Sequence, residues 1–198
     1  MAYAETWDIP IVLTWGAIDL LPHNHRLNMG CFGTHGMKNA NLAVQNATHI
    51  ISLGCRLDTK ATGTPKDFAP NAEIDMYDID IREIQKMPKV GLEVFGHNKR
   101  CKDFAAWNVL ERKSTQWLKQ CQAWKAENVP QGPAYDLMRR IGEYTTAEDI
   151  IVSDTGNTLG WIMQGFPFKG ERFIHAFNFT PMGYGLGGAI GAAFAAPG

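Results

Sequence analysis

The sequence carries no surplus charge: 19 Lys and Arg against 20 Asp and Glu leave a net charge of −1 over 198 residues. No run of like charges exceeds a pair such as Arg139-Arg140, so the chain lacks an electrostatic footprint for nucleic acid or an anionic membrane. Long apolar runs are missing too. The longest uncharged apolar stretch, 189–197, falls well short of the ~20 residues that a bilayer span requires. The N-terminus also lacks the basic-then-apolar order of a signal peptide. The expectation is a cytoplasmic protein with neither a membrane nor a nucleic-acid partner. Cysteine is scarce, and Cys31, Cys55, Cys101 and Cys121 show no paired ligand spacing. That excludes a zinc module and fits reduced, buried thiols better than a disulfide framework. Internal repeats and low-complexity tracts are absent as well. What remains is 45% apolar and 20% charged, the makeup of a globular chain that buries a real core.

Short hydrophobic runs alternate with helical spacing, which predicts an α/β fold with parallel sheets. The runs at 9–14, 49–53, 72–79, 90–95, 149–153 and 172–176 read as strands, most of them followed by Gly, Asp or Asn. Ligand sites of such sheets lie at the carboxyl ends of the strands. Segments 37–47 and 134–144 place apolar residues at near-helical spacing, and 99–128 is helix-compatible, with Trp107, Trp117 and Trp124 along it. Without basic residues interleaved on one face, these tryptophans read as packing, not as a base-stacking platform. The run Val129-Pro130-Gln131-Gly132-Pro133 stops that helix. It predicts a linker at 129–133 between a domain at 1–128 and a second at 134–198. Both ends read as cut: 1–7 has the pattern of the last turns of a helix, and 183–198 stops as a small-residue helix closes.

Three glycine-bearing clusters could carry chemistry. Gly30, Gly33 and Gly36 precede the helix at 37–47 and surround Thr34 and His35, so backbone N–H groups can approach a ligand. Gly54, Arg56 and Asp58 follow the strand at 49–53, and Asp78 and Ile79 close the next strand. Side by side, these strand ends form a nucleotide crevice; taken alone, Arg56 and Asp58 read equally as a surface ion pair. His35 alone reads as a helix-start residue, and His23 and His25 as solvated loop residues. Thr155, Gly156, Asn157 and Thr158 can cradle a phosphate at a helix start or simply cap the helix. Gly183, Gly185 and Gly188 match G-x-G-x-x-G, a dinucleotide fingerprint, yet small residues there also let a helix pack tightly on a sheet.

In this order the clusters resemble the thiamine-diphosphate enzymes of the acetolactate synthase and pyruvate oxidase group. The similarity runs from Pro10 through Asp80 for the central domain, and from Ile150 to Ala196 for the start of the pyrophosphate-binding domain. The resemblance implies that Thr155, Gly156, Asn157 and Thr158 face the cofactor's diphosphate. It further implies that Met182 supports the bent cofactor, with the Thr180 carbonyl facing the aminopyrimidine amine. Gly33, Thr34, His35, Gly54, Arg56, Asp58, Asp78 and Ile79 match positions that line an FAD or ADP crevice. The implied activity is decarboxylation of a small 2-keto acid and transfer of the remainder to an acceptor, by a full-length homodimer or homotetramer. The activating glutamate is expected before Met1 and the magnesium ligands after Gly198, so neither catalytic residue nor metal ligand is assigned within the chain, and it is expected to be inactive alone. Asn157-Thr158 stands where these synthases show Gln-His, His97 stands where an Asp is usual, and Gly187 replaces a Pro. The run Phe177-Asn178-Phe179-Thr180-Pro181 is more similar to relatives from bacterial surface-sugar pathways. A different class of reading is a stand-alone Rossmann-type nucleotide-binding module; the methionine before the glycines at 183–185 separates the two.

Overall fold

Apolar runs too short to span more than one layer, each ended by a turn residue, yield short parallel strands. The computed structural model describes residues 1–87, 90–95 and 114–196. Helix α1 (Ala2–Trp7) enters β1 (Ile11–Leu13), which pairs in parallel with β2 (Asn28–Cys31). Helix α2 (Lys38–Gln45) leads to β3 (His49–Leu53), then the single turn α3 (Thr59–Thr62). Strand β4 (Glu73–Asp78), α4 (Ile81–Gln85) and β5 (Val90–Phe95) complete a three-stranded parallel sheet in the order β3-β4-β5. After α5 (Thr115–Glu127) and α6 (Pro133–Glu143), β6 (Ile150–Val152) pairs in parallel with β7 (Arg172–Ile174) across α7 (Asn157–Gly165). Helix α8 (Tyr184–Ala195) follows. The architecture is therefore α/β, with the parallel strands of the described residues in three small sheets.

The predicted strands reappear, those at 49–53 and 90–95 with the same bounds and the others trimmed by one or two residues at an end. The helices expected at 37–47 and 134–144 lie within two residues of their expected bounds. Of the stretch 99–128 only 114–128 is described, and Trp107, His97 and Cys101 lie outside the described residues. Strand β2 is additional. Asn-Met-Gly-Cys has neither alternation nor β-branching, and the strand forms because its surroundings satisfy it. The buried Asn28 amide donates to the Leu21 and Pro22 carbonyls, and Asn39 donates to the Met29 carbonyl at 2.6 Å.

One core lies between α2 and the β3-β4 sheet, around Val44, Ile74, Met76 and Ile84. A second seats α5 on β2 and α2 through Leu27, Met29, Leu118 and Cys121, with Trp117 and Trp124 packed edge to face at 5.6 Å against it. The third joins α6, α7 and β7 through Met138, Ile162, Phe166 and Phe173, and it also takes in Ile18 and Cys31. Asp19 reinforces that junction by accepting from the Phe173 amide at 2.9 Å and from Arg172 at 3.0 Å. Gly132, at φ +118, and Pro133 at the first turn of α6 make the break between α5 and α6. Among the described residues, no helix is long and apolar enough to cross a membrane.

Candidate functional site

The loops after β2 and β3 meet because α3 pins them. Asp58 caps α3, accepting from the Lys60 and Ala61 amides at 3.0 Å. The Lys60 carbonyl in turn takes the Thr34 amide at 2.8 Å and its hydroxyl at 3.0 Å. Gly33 sits at φ +104, and a Cβ there would stand 2.7 Å from that carbonyl, so only glycine allows the approach. The result is a cavity of about 220 Å³, whose walls include Thr34, His35, Gly54, Arg56, Asp58 and Lys60.

Trp15, Met163, Phe177 and Asn178 close the far side. The Lys60 ammonium lies 4.5 Å above the Trp15 ring, and its Nζ reaches the Asn178 carbonyl at 3.5 Å. Arg56 is half exposed and pairs with Glu83 at 3.2 Å, whose carboxyl lies below the usual range because Lys86, then Arg56, sit beside it. Lys60 thus places a positive charge in the cavity wall beside the capping carboxylate of Asp58. Gly33, Asp78 and Ile79 lie outside the lining. Asp78 accepts the Asp80 amide at 2.8 Å, Ile79 is exposed, and Asp80 caps α4, its carboxyl drawn down to about 2 by Arg82.

The second site gathers at the end of β6. Asp154 accepts from the Thr155 amide at 2.7 Å, the Gly183 amide at 3.0 Å and the Gly185 amide at 3.1 Å. Those N–H groups, Thr155 first, hold its carboxyl below the ordinary range. The clasp brings the turn 155–158 beside the 180–183 loop. Gly156, at φ +96 with open space where a Cβ would stand, precedes α7 and leaves Asn157 and Thr158 at its first positions. Thr180 takes a left-handed φ of 38, and Met182 is 90% exposed. Gly185 and Gly188 fall where a Cβ would meet Asp154 at 3.1 Å and Val152 at 2.9 Å. Of the two readings of that glycine pattern, close packing of α8 on β6 accounts for both positions.

The sequence names neither Lys60 nor Trp15 as a site residue, and Phe177 and Asn178 enter it only as part of the 177–181 run, with no role at this cavity. Lys60, two residues past a capping Asp, could have been found locally; the other three come from distant segments and carry no local signal. His23 is a correction. It is partly buried, its amide donates to the Phe168 carbonyl at 2.7 Å, and desolvation together with Lys125 pushes its pKa down to about 4.

Residues 1–103 match the family model described as thiamine pyrophosphate enzyme, central domain, and residues 154–198 match the thiamine pyrophosphate enzyme C-terminal TPP binding domain. The chain is 33% identical to the acetolactate synthase large subunit of Lactococcus lactis, with 99% of the chain and 36% of that protein covered. It is 33% identical to a probable acetolactate synthase large subunit of Methanocaldococcus jannaschii, over 98% of the chain and 36% of that protein. Identity to the acetolactate synthase isozyme 1 large subunit of Escherichia coli is 29% over the same shares. The chain spans about a third of the length of these relatives. None of the matches supports a stand-alone nucleotide-binding module.

Proposed function

Since the chain belongs to the thiamine pyrophosphate enzyme family, we propose that it serves an acetolactate synthase-like enzyme that decarboxylates a 2-keto acid and joins the remainder to an acceptor. On this reading 1–128 is the central domain, 129–133 the linker, and 134–198 the opening of the cofactor domain. Thiamine diphosphate, when bound, supplies the electron sink for decarboxylation. Magnesium would be its companion cofactor, and the assembly would be a cytoplasmic homodimer or homotetramer.

The observation that carries the reading is the Asp154 clasp, which ties the 155–158 turn to Gly183 and Gly185. The residues fit the cofactor in two ways. The open face at Gly156 lets the start of the nine-residue α7 present the Asn157 and Thr158 amides to a diphosphate. Three N–H donors occupy Asp154, so its charge is turned toward the protein's own backbone. Met182, exposed and without titratable chemistry, would support the cofactor ring, and Thr180 would offer its carbonyl beside it. In the cavity, Lys60 and Arg56 would hold the phosphates of ADP or of FAD, with Gly33, Thr34, His35, Gly54 and Asp58 shaping it and Asp78 and Ile79 lying further along the strand ends.

The test is titration of thiamine diphosphate with magnesium into the full-length enzyme. Asp154→Ala removes three charge-assisted bonds and should weaken cofactor half-saturation by about thirtyfold. Unchanged half-saturation would remove the cofactor assignment of this loop.

A further inference from the structure

We infer that His175 is a positioning residue that ties the cavity wall to the loop carrying Thr180 and Met182, through an acceptor bond to the chain at Phe177. The inference rests on the reading of that loop as the cofactor loop. His175 is 3% exposed, and its Nδ1 accepts the Phe177 amide at 2.8 Å. An accepting Nδ1 carries no proton, so the neutral ring holds its hydrogen on Nε2. Nε2 is buried and has no hydrogen-bond partner among the described residues. A buried donor left unpaired costs free energy, so the ring is retained here for something other than its own comfort.

Its surroundings show what it joins. The Trp15 and Phe177 rings, both in the cavity wall, lie 6.2 Å and 5.5 Å from the imidazole. Tyr184, the first residue of α8, stands edge-on at 6.5 Å, and Phe173 of β7 stacks at 6.4 Å. The loop it holds is strained: Phe177 and Thr180, neither of them glycine, have φ of 44 and 38. Such conformations persist only where neighbours over-determine them. Phe177 is held by the His175 acceptor and by its T-shaped contact with Trp15 at 6.4 Å, and Asn178 by the Lys60 ammonium. Burial pushes the imidazole pKa below its ordinary value; Asp154 acts against that and Lys60 with it, so the ring stays a neutral acceptor at pH 7. The wall of the cavity and the 180–182 loop thus share one side chain.

Two substitutions separate an acceptor from a filler. His175→Phe keeps the ring and loses the acceptor; His175→Asn shrinks the ring but places Oδ1 where Nδ1 stands. In the full-length enzyme, His175→Phe should speed exchange of the Phe177 amide about tenfold and raise thiamine diphosphate half-saturation about tenfold, the worth of one such bond. His175→Asn should stay within about twofold on both. The reverse ranking, or an unchanged Phe177 amide in His175→Phe, overturns the proposal. Faster exchange with unmoved half-saturation leaves the tie standing and overturns the cofactor reading of Thr180 and Met182. Should either variant fold poorly, imidazole nitrogen NMR of the unaltered enzyme decides: a bare Nδ1 at pH 7 is expected, and a protonated one refutes the assignment.

Discussion

The 30–62 region and the 154–196 region both set glycine turns against helix starts, but they finish differently. In the first, the Asp58 cap and the Lys60 carbonyl fold two loops over each other, and Trp15, Phe177 and Asn178 cover the gap. In the second, the Asp154 clasp orders the backbone, while Phe179, Met182, Leu186 and Phe194 remain 92%, 90%, 74% and 84% exposed. One site is a partly open cavity walled by the chain's own segments; the other is ordered but uncovered. The difference shows that backbone hydrogen bonds can shape a site before anything packs over it. The apolar side chains around such a site then carry little folding energy, because they bury little area.

Stability measurements should divide the two regions most widely. Met76, fully buried under α2, should cost about 3 kcal/mol when truncated to Ala. Leu186→Ser on α8 should stay within about 0.5 kcal/mol. Urea unfolding of both variants checks this, and a large loss for Leu186→Ser would break the comparison by showing that α8 is covered.

The junction between the regions should respond to acid. His23, its amide on the Phe168 carbonyl and its pKa drawn down to about 4, is neutral in the folded chain where an unfolded histidine is already charged. The unfolded state therefore binds the extra proton, and stability falls as pH drops from about 6.5 toward about 4. Between pH 7 and pH 5 the loss should be about 2 kcal/mol, and His23→Gln should flatten that slope. A profile unaltered by the substitution would place the acid sensitivity elsewhere.

The smallest effect sharpens the contrast between the walled and the uncovered site. Lys60→Met should weaken ADP or FAD binding about tenfold by removing the cation from the cavity wall. Thiamine diphosphate half-saturation should shift by less than about threefold, since Lys60 touches only the Asn178 carbonyl of that loop. Flavin fluorescence and cofactor titration on the same variant report both, and an equal loss of the two ligands would merge the sites into one.

What the sequence by itself determined is whatever short-range chemistry encodes. The strands at 49–53 and 90–95 matched their observed bounds, because short apolar runs ended by Gly leave few alternatives. The glycine turns before α2, α7 and α8 were likewise visible in residue type. Tertiary structure alone decided the rest. Strand β2 exists because Asn28 and Asn39 find carbonyls to satisfy, and His23 changed from a solvated residue to a desolvated one when Lys125 and Phe168 packed around it. The cavity wall joins Lys60 to Asn178 across 118 residues, and Asp154 meets Gly185 across 31. Local pattern sets dihedrals and caps, whereas which side chains converge depends on how separate cores dock, and no spacing along the chain records that distance.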